Sequence, residues 1–111
     1  MNYSLLVGRF QPLHKAHVAL IEKKLQEGKN VMVGLRDTGM DDKNPYSYPE
    51  RLNMFRRAFP SQMASEKVRV MLIPDVDEIF YGREPGYKIE QVDLGEKLHK
   101  ISATKIRNKK K

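Results

Sequence analysis

The chain predicts an α/β fold, a Rossmann-like open parallel sheet flanked by helices, and three observations carry that reading. Short β-branched runs alternate with stretches whose apolar residues recur at helical spacing. The 111 residues suffice for one apolar core and are too few for two. No internal repeat, low-complexity linker or composition break divides residues 1–111, so a single domain is expected.

Tyr3 to Val7 reads as a first strand, followed by the loop Gly8-Arg9-Phe10-Gln11-Pro12-Leu13. A helix is expected from about His14 to Glu27, because Val18, Ile21 and Leu25 share one face and Leu20 widens it. Lys23 and Lys24 suit its carboxyl end, and Gly28 suits its termination. Asn30 to Leu35 is a second, buried strand, and Arg36 to Tyr46 a polar, turn-rich loop. Ser47-Tyr48-Pro49-Glu50 fits a capping box with Pro in the first turn. The helix it opens turns Leu52, Phe55 and Phe59 to the core and ends at Pro60. Val68 to Ile73 is a third strand, Glu78 to Tyr81 a short fourth and Tyr87 to Val92 a fifth; a last helix begins near Ser102. Met32, Met54, Met63 and Met71 read as core filler.

Composition removes several function classes. The absence of Cys excludes disulfide scaffolds, thiolate zinc sites and cysteine nucleophiles. Apolar runs such as Val70-Met71-Leu72-Ile73 fall far short of the ~20 residues a bilayer span needs, so no membrane partner is expected. No basic n-region precedes the first strand, which leaves no signal peptide and a cytoplasmic location as the expectation. The net charge of +7 is uneven: residues 1–96 balance, whereas residues 97–111 hold seven basic side chains and no acid. That pattern points to a local anion site or a solvated tail, and Lys109 to Lys111 suit the tail.

Open parallel sheets bind ligands at the carboxyl ends of their strands, here the loops 8–14, 36–46 and 82–86. Neither a G-x-G-x-x-G turn nor a Walker A lysine loop is present. The first strand instead delivers Arg9, His14 and His17 to a helix N-terminus, whose unpaired N–H groups and positive dipole end favour phosphate. Alone, a His-x-x-His pair reads equally as a metal half-site or as two unrelated surface residues; no third metal ligand is evident. Ser102 to Arg107, alone, reads as an ordinary N-capped amphipathic helix. Arg51 reads as a structural partner near the capping box, and Arg36 with Asp37 as a loop ion pair.

Gly8 to His17 resembles the G-R-F-Q-P-x-H-x-G-H signature of the nucleotidylyltransferase superfamily, with its cytidylyltransferase-like fold. Ile101-Ser102-Ala103-Thr104-Lys105-Ile106-Arg107 resembles that superfamily's second signature, I-S-x-T-x-I-R. Asn44-Pro45-Tyr46, Glu50-Arg51 and Met54 are similar to the N-P-F…E-R…M stretch of the nicotinamide mononucleotide adenylyltransferase branch. Ala16 departs from the signature, standing where it carries Gly, and its methyl is expected to crowd a ribose or base lying against that turn.

The resemblance implies transfer of a nucleoside monophosphate from ATP, or alternatively CTP, to a phosphorylated small-molecule acceptor, with release of pyrophosphate. It implies that His14, His17 and Arg107 are catalytic. Gly8, Arg9, Phe10, Ser102, Thr104 and Lys105 would bind nucleotide phosphates, with the turn Tyr81-Gly82-Arg83 near the base. Mg²⁺ would accompany the triphosphate without a dedicated protein ligand. A homodimer would cover surface that longer relatives cover with further helices. Two other classes stay open: a silent nucleotide-binding module of the same fold, and a nucleic-acid binder using the basic carboxyl terminus. The neutral balance of residues 1–96 disfavours specific nucleic-acid recognition.

Overall fold

A computed structural model describes residues 2–83 and 86–90. β1 (Tyr3–Gly8), α1 (Lys15–Gln26), β2 (Asn30–Asp37), α2 (Tyr48–Ala58), α3 (Pro60–Ala64) and β3 (Val68–Pro74) follow in that order. The three strands are parallel and ordered β1-β2-β3, with Leu6 opposite Val33 and Val33 opposite Val70. Two right-handed crossovers in one direction place both helical connections on one face of the sheet. The core confirms this: Ile21 from α1 and Phe55 and Phe59 beside it pack with Val31, Val33, Leu35 and Val68. This is the expected Rossmann-like α/β class.

Local chemistry accounts for the element ends. Gly28 takes φ +80° after α1, its N–H donates to the Leu25 carbonyl, and the Lys29 N–H donates to that of Lys24. This is a Schellman termination, which the left-handed glycine permits. At α2 the Glu50 N–H donates to Ser47 Oγ at 3.2 Å, and the Ser47 N–H donates to Glu50 Oε1 at 3.2 Å.

Several expectations need correction. β2 runs on to Asp37, because Arg36 and Asp37 still pair with Ile73 and Pro74. Helix resumes at Pro60 after a break at Phe59, since proline is accommodated in a first turn. Glu78–Tyr81 is not a strand: among the described residues no strand pairs with it, and Ile79, Phe80 and Tyr81 are all exposed. A short apolar run needs a ladder partner as well as propensity. Residues 87–90 likewise form no strand, and Gln91 and Val92 lie outside the described residues, as does the helix expected near Ser102. Met71 is no core filler; it is 49% exposed, on the sheet face opposite the described helices.

Candidate phosphate-binding site

The loop leaving β1 is shaped by one ring. Phe10 adopts φ 50°, which bulky residues rarely do, and its side chain turns back into the core at 3% exposure. A Cβ on Gly8 would stand 3.1 Å from that ring, so only glycine fits there without displacing it. The Gln11–Pro12 peptide is cis. Phe10 meets Phe55 edge-on at 5.1 Å and His17 edge-on at 4.7 Å, and His17 stacks on His14 at 3.8 Å. A column of four rings therefore climbs from the core to the N-terminus of α1. Its side chain makes Phe10 the platform for His17.

The imidazoles cap the helix themselves. The Ala16 N–H donates to His14 Nδ1 at 3.2 Å, and the His14 N–H donates to His17 Nδ1 at 3.4 Å. An Nδ1 that accepts carries no proton, so each neutral ring holds its proton on Nε2. Burial lowers the pKa of His14. Burial first, and the neighbouring His14 second, lower that of His17 to about 4. At neutral pH the pair is thus two uncharged Nε2–H donors above the positive end of α1. Arg9, exposed on the loop that leads to them, carries a positive charge. Ala16 is buried at the first turn. An open trough of about 680 Å³ starts at His14 and is lined by Leu13, Val18, Met54, Lys15 and Arg57.

Two buried polar side chains tie the surrounding loops. Gln11, 1% exposed, donates from Nε2 to the Tyr46 carbonyl at 3.0 Å and accepts the Tyr46 N–H on Oε1 at 2.8 Å. Arg51, 3% exposed, donates from Nη1 to the carbonyls of Arg9 (3.0 Å) and Arg36 (2.8 Å). Its Nε donates to the Ser47 carbonyl at 3.3 Å. Burial lowers the Arg51 pKa from a value high enough that the guanidinium stays charged. Arg51 is thus structural, as its place beside the capping box suggested. Its reach to the ends of β1 and β2 had no signal in the sequence; the signal for Gln11 was a lone amide in an apolar, proline-bearing loop. Arg36 does not pair with Asp37: its Nη2 lies 2.8 Å from Asp75 Oδ1, joining the ends of β2 and β3.

The structure therefore gathers Gly8, Arg9, Phe10, His14 and His17 at one strand-to-helix turn. Tyr81, Gly82 and Arg83 are exposed and make no hydrogen bond or ring contact with the histidines. Their loop follows β3 rather than a fourth strand. Ser102, Thr104, Lys105 and Arg107 lie outside the described residues. Among the described residues no three His, Asp or Glu side chains converge to hold a metal ion. No helix among them is long and apolar enough to cross a membrane.

The chain is similar to known proteins over the segment that contains this turn. The chain is 37% identical to the nicotinamide-nucleotide adenylyltransferase of Pyrococcus furiosus over 76 residues, covering 67% of this chain and 40% of the relative. The enzyme of the same name from Thermococcus sibiricus is 29% identical, covering 95% of this chain and 71% of the relative. A Francisella tularensis structure, a bifunctional NMN adenylyltransferase/ADP ribose pyrophosphatase complexed with AMP and a Mn ion, superposes with a TM-score of 0.55. Its sequence identity is 30%, covering 67% of this chain and 23% of that one. The chain spans about two fifths of the length of the first curated relatives it matches. The cytidylyltransferase-like family model matches residues 5–80, from β1 through the ring column and both loop ties to β3 and beyond, and the chain belongs to that family.

Proposed function

We propose that the protein is a nucleotidylyltransferase that transfers AMP from ATP to a phosphorylated small-molecule acceptor, releasing pyrophosphate. The observation that carries this reading is the histidine pair: two neutral Nε2–H donors, locked by their own helix at its N-terminus, which is entered by a loop bearing an exposed arginine. An oxygen of the acceptor phosphate attacks the α-phosphorus of ATP in line. A new O–P bond forms as the bond from the α-phosphorus to the bridging oxygen breaks, and pyrophosphate leaves with that electron pair. No covalent enzyme intermediate is needed, so the protein acts by positioning two anions and stabilising the charge that builds between them.

In this reading His14 and His17 donate from Nε2 to phosphoryl oxygens, and Arg9 holds a phosphate at the loop. Ser102, Thr104, Lys105 and Arg107 are proposed to grip the β- and γ-phosphates, and Tyr81 to Arg83 to meet the base. Mg²⁺ is proposed only as the companion of the triphosphate: the described side chains form no cage for it, and no step is assigned to it. The names of the relatives favour ATP over CTP and nicotinamide mononucleotide as the first acceptor to test.

The test is a pyrophosphate-release assay with Mg²⁺, pairing ATP or CTP with nicotinamide mononucleotide and a panel of other phosphorylated acceptors. ATP-dependent release with at least one acceptor is expected, and His17→Ala should lower it by about 10²–10³-fold. ATP binding without release from any pair would assign a silent nucleotide-binding module instead. Wild-type release by the variant would remove His17 from the mechanism.

A further inference from the structure

Arg51 is buried, cationic and far in sequence from the residues it serves. Nη1 alone reaches the carbonyl of Arg9 at 3.0 Å and that of Arg36 at 2.8 Å, on segments that leave different strands. The Arg9 carbonyl belongs to the peptide that enters Phe10, where the chain takes its left-handed turn at φ 50°. That turn sends the Phe10 ring under His17, 4.7 Å from its imidazole. The Arg36 carbonyl belongs to the end of β2, whose side chain is already fixed by Asp75. A hydrogen bond from a charged donor is stronger and more directional than a neutral one, and a planar guanidinium presents several N–H groups in a fixed fork.

From this chain of contacts we infer that Arg51 is a positioning residue for the phosphate site, acting through the Arg9–Phe10 peptide on His17. It also sets the β1 loop against the end of β2, so that the two sides of the site keep one spacing. This deepens the proposed transferase reading and rests on it for its kinetic consequence, though not for its structural one. The Glu50-Arg51 pair, which capping alone does not explain, thereby acquires a role. Lysine is not an equivalent here, because one ammonium cannot present the same fork to carbonyls on three separate segments.

The experiment compares the full-length parent with Arg51→Lys and Arg51→Met. It follows the His17 titration midpoint and ring tautomer by NMR, ATP affinity by calorimetry, and the pyrophosphate assay. Arg51→Lys is expected to fold, to move the His17 midpoint upward toward the ordinary imidazole range, and to weaken ATP binding by about three- to tenfold. KM should rise more than kcat falls, and Arg51→Met should exaggerate each effect. Folded Arg51→Lys with an unmoved His17 midpoint and parental ATP affinity overturns the inference, whether or not Arg51→Met folds. A shifted His17 midpoint in a protein that releases no pyrophosphate with any acceptor would instead sink the transferase reading and leave the positioning intact.

Discussion

Acidification from pH 7 to pH 5 tests the ring column directly, because it asks His17 to take a proton that its surroundings oppose. Burial beside Phe10, and then the neighbouring His14, hold its pKa at about 4 against the ordinary 6.5. Between those values the unfolded chain binds more protons than the folded one. Stability is therefore complete above about pH 6.5 and is lost as pH falls toward 4. Each pH unit of separation is worth about 1.4 kcal/mol, so the step to pH 5 carries about 2 kcal/mol before screening. His17 is only half-buried, and water reduces that to about 1 kcal/mol. The carboxylates do not confuse this window. The Glu90 pKa is held at about 2 by hydrogen bonds from Lys88 and then Lys24, and that of Asp41 is lowered by Asn44. Their contributions are present above the ordinary carboxylate range and fade only as pH falls through it. Urea unfolding at pH 7 and pH 5 should show the parent losing about 1 kcal/mol more than His17→Gln. His14 shifts in the same direction and is stacked on His17, so the difference from the variant reports the coupled pair. An imidazole of residue 17 titrating near its ordinary value, or an equal pH response in the variant, would refute the column as the cause.

Gly8→Ala places a methyl 3.1 Å from the Phe10 ring; the ring must move, with an expected cost of about 1–3 kcal/mol in urea unfolding. Parental stability would show that Phe10 is free to yield. Ser47→Ala removes the cap of α2 and should cost about 1 kcal/mol with ATP affinity unchanged, because the Arg51 tie to that residue uses its carbonyl and not its hydroxyl. Loss of ATP affinity in this variant would show that the α2 cap and the phosphate site are one unit.

The elements that periodicity governs were legible: α1 from Val18, Ile21 and Leu25, its glycine stop, and the capping box at Ser47. Their determinants lie within four residues of one another, where propensity and spacing act. The strand expected at Glu78–Tyr81 failed because a strand is a property of two segments, and the sequence displays only one at a time. The candidate site was legible as a cluster of residue types on one loop. Its construction was not. Phe10 looked like part of a binding loop and is a core ring, because a left-handed turn reverses its direction. Arg51 and Gln11 act on backbone groups 42 and 35 residues away, and a backbone carbonyl carries no mark in the sequence.

These two kinds of support divide the work in a way that suits phosphate chemistry. The imidazoles rest on apolar rings, which lower their basicity and keep them as neutral donors. A neutral donor binds a ground-state triphosphate less tightly than a fixed cation does, and it gains most where negative charge accumulates during transfer. The loops that carry the charged groups are held by amide and guanidinium contacts to backbone carbonyls and N–H groups, so Arg9 remains exposed while its peptide is pinned. Exchanging the supports would defeat both. A hydrogen-bond acceptor in place of the Phe10 ring would raise the His17 pKa and favour the imidazolium. An apolar residue at Arg51 would leave the carbonyls of Arg9 and Arg36 without that charged donor, a loss of about 1 kcal/mol each where water can replace it. The burial of Arg51 and the burial of Phe10 thus answer one requirement, that the turn between β1 and α1 hold its shape.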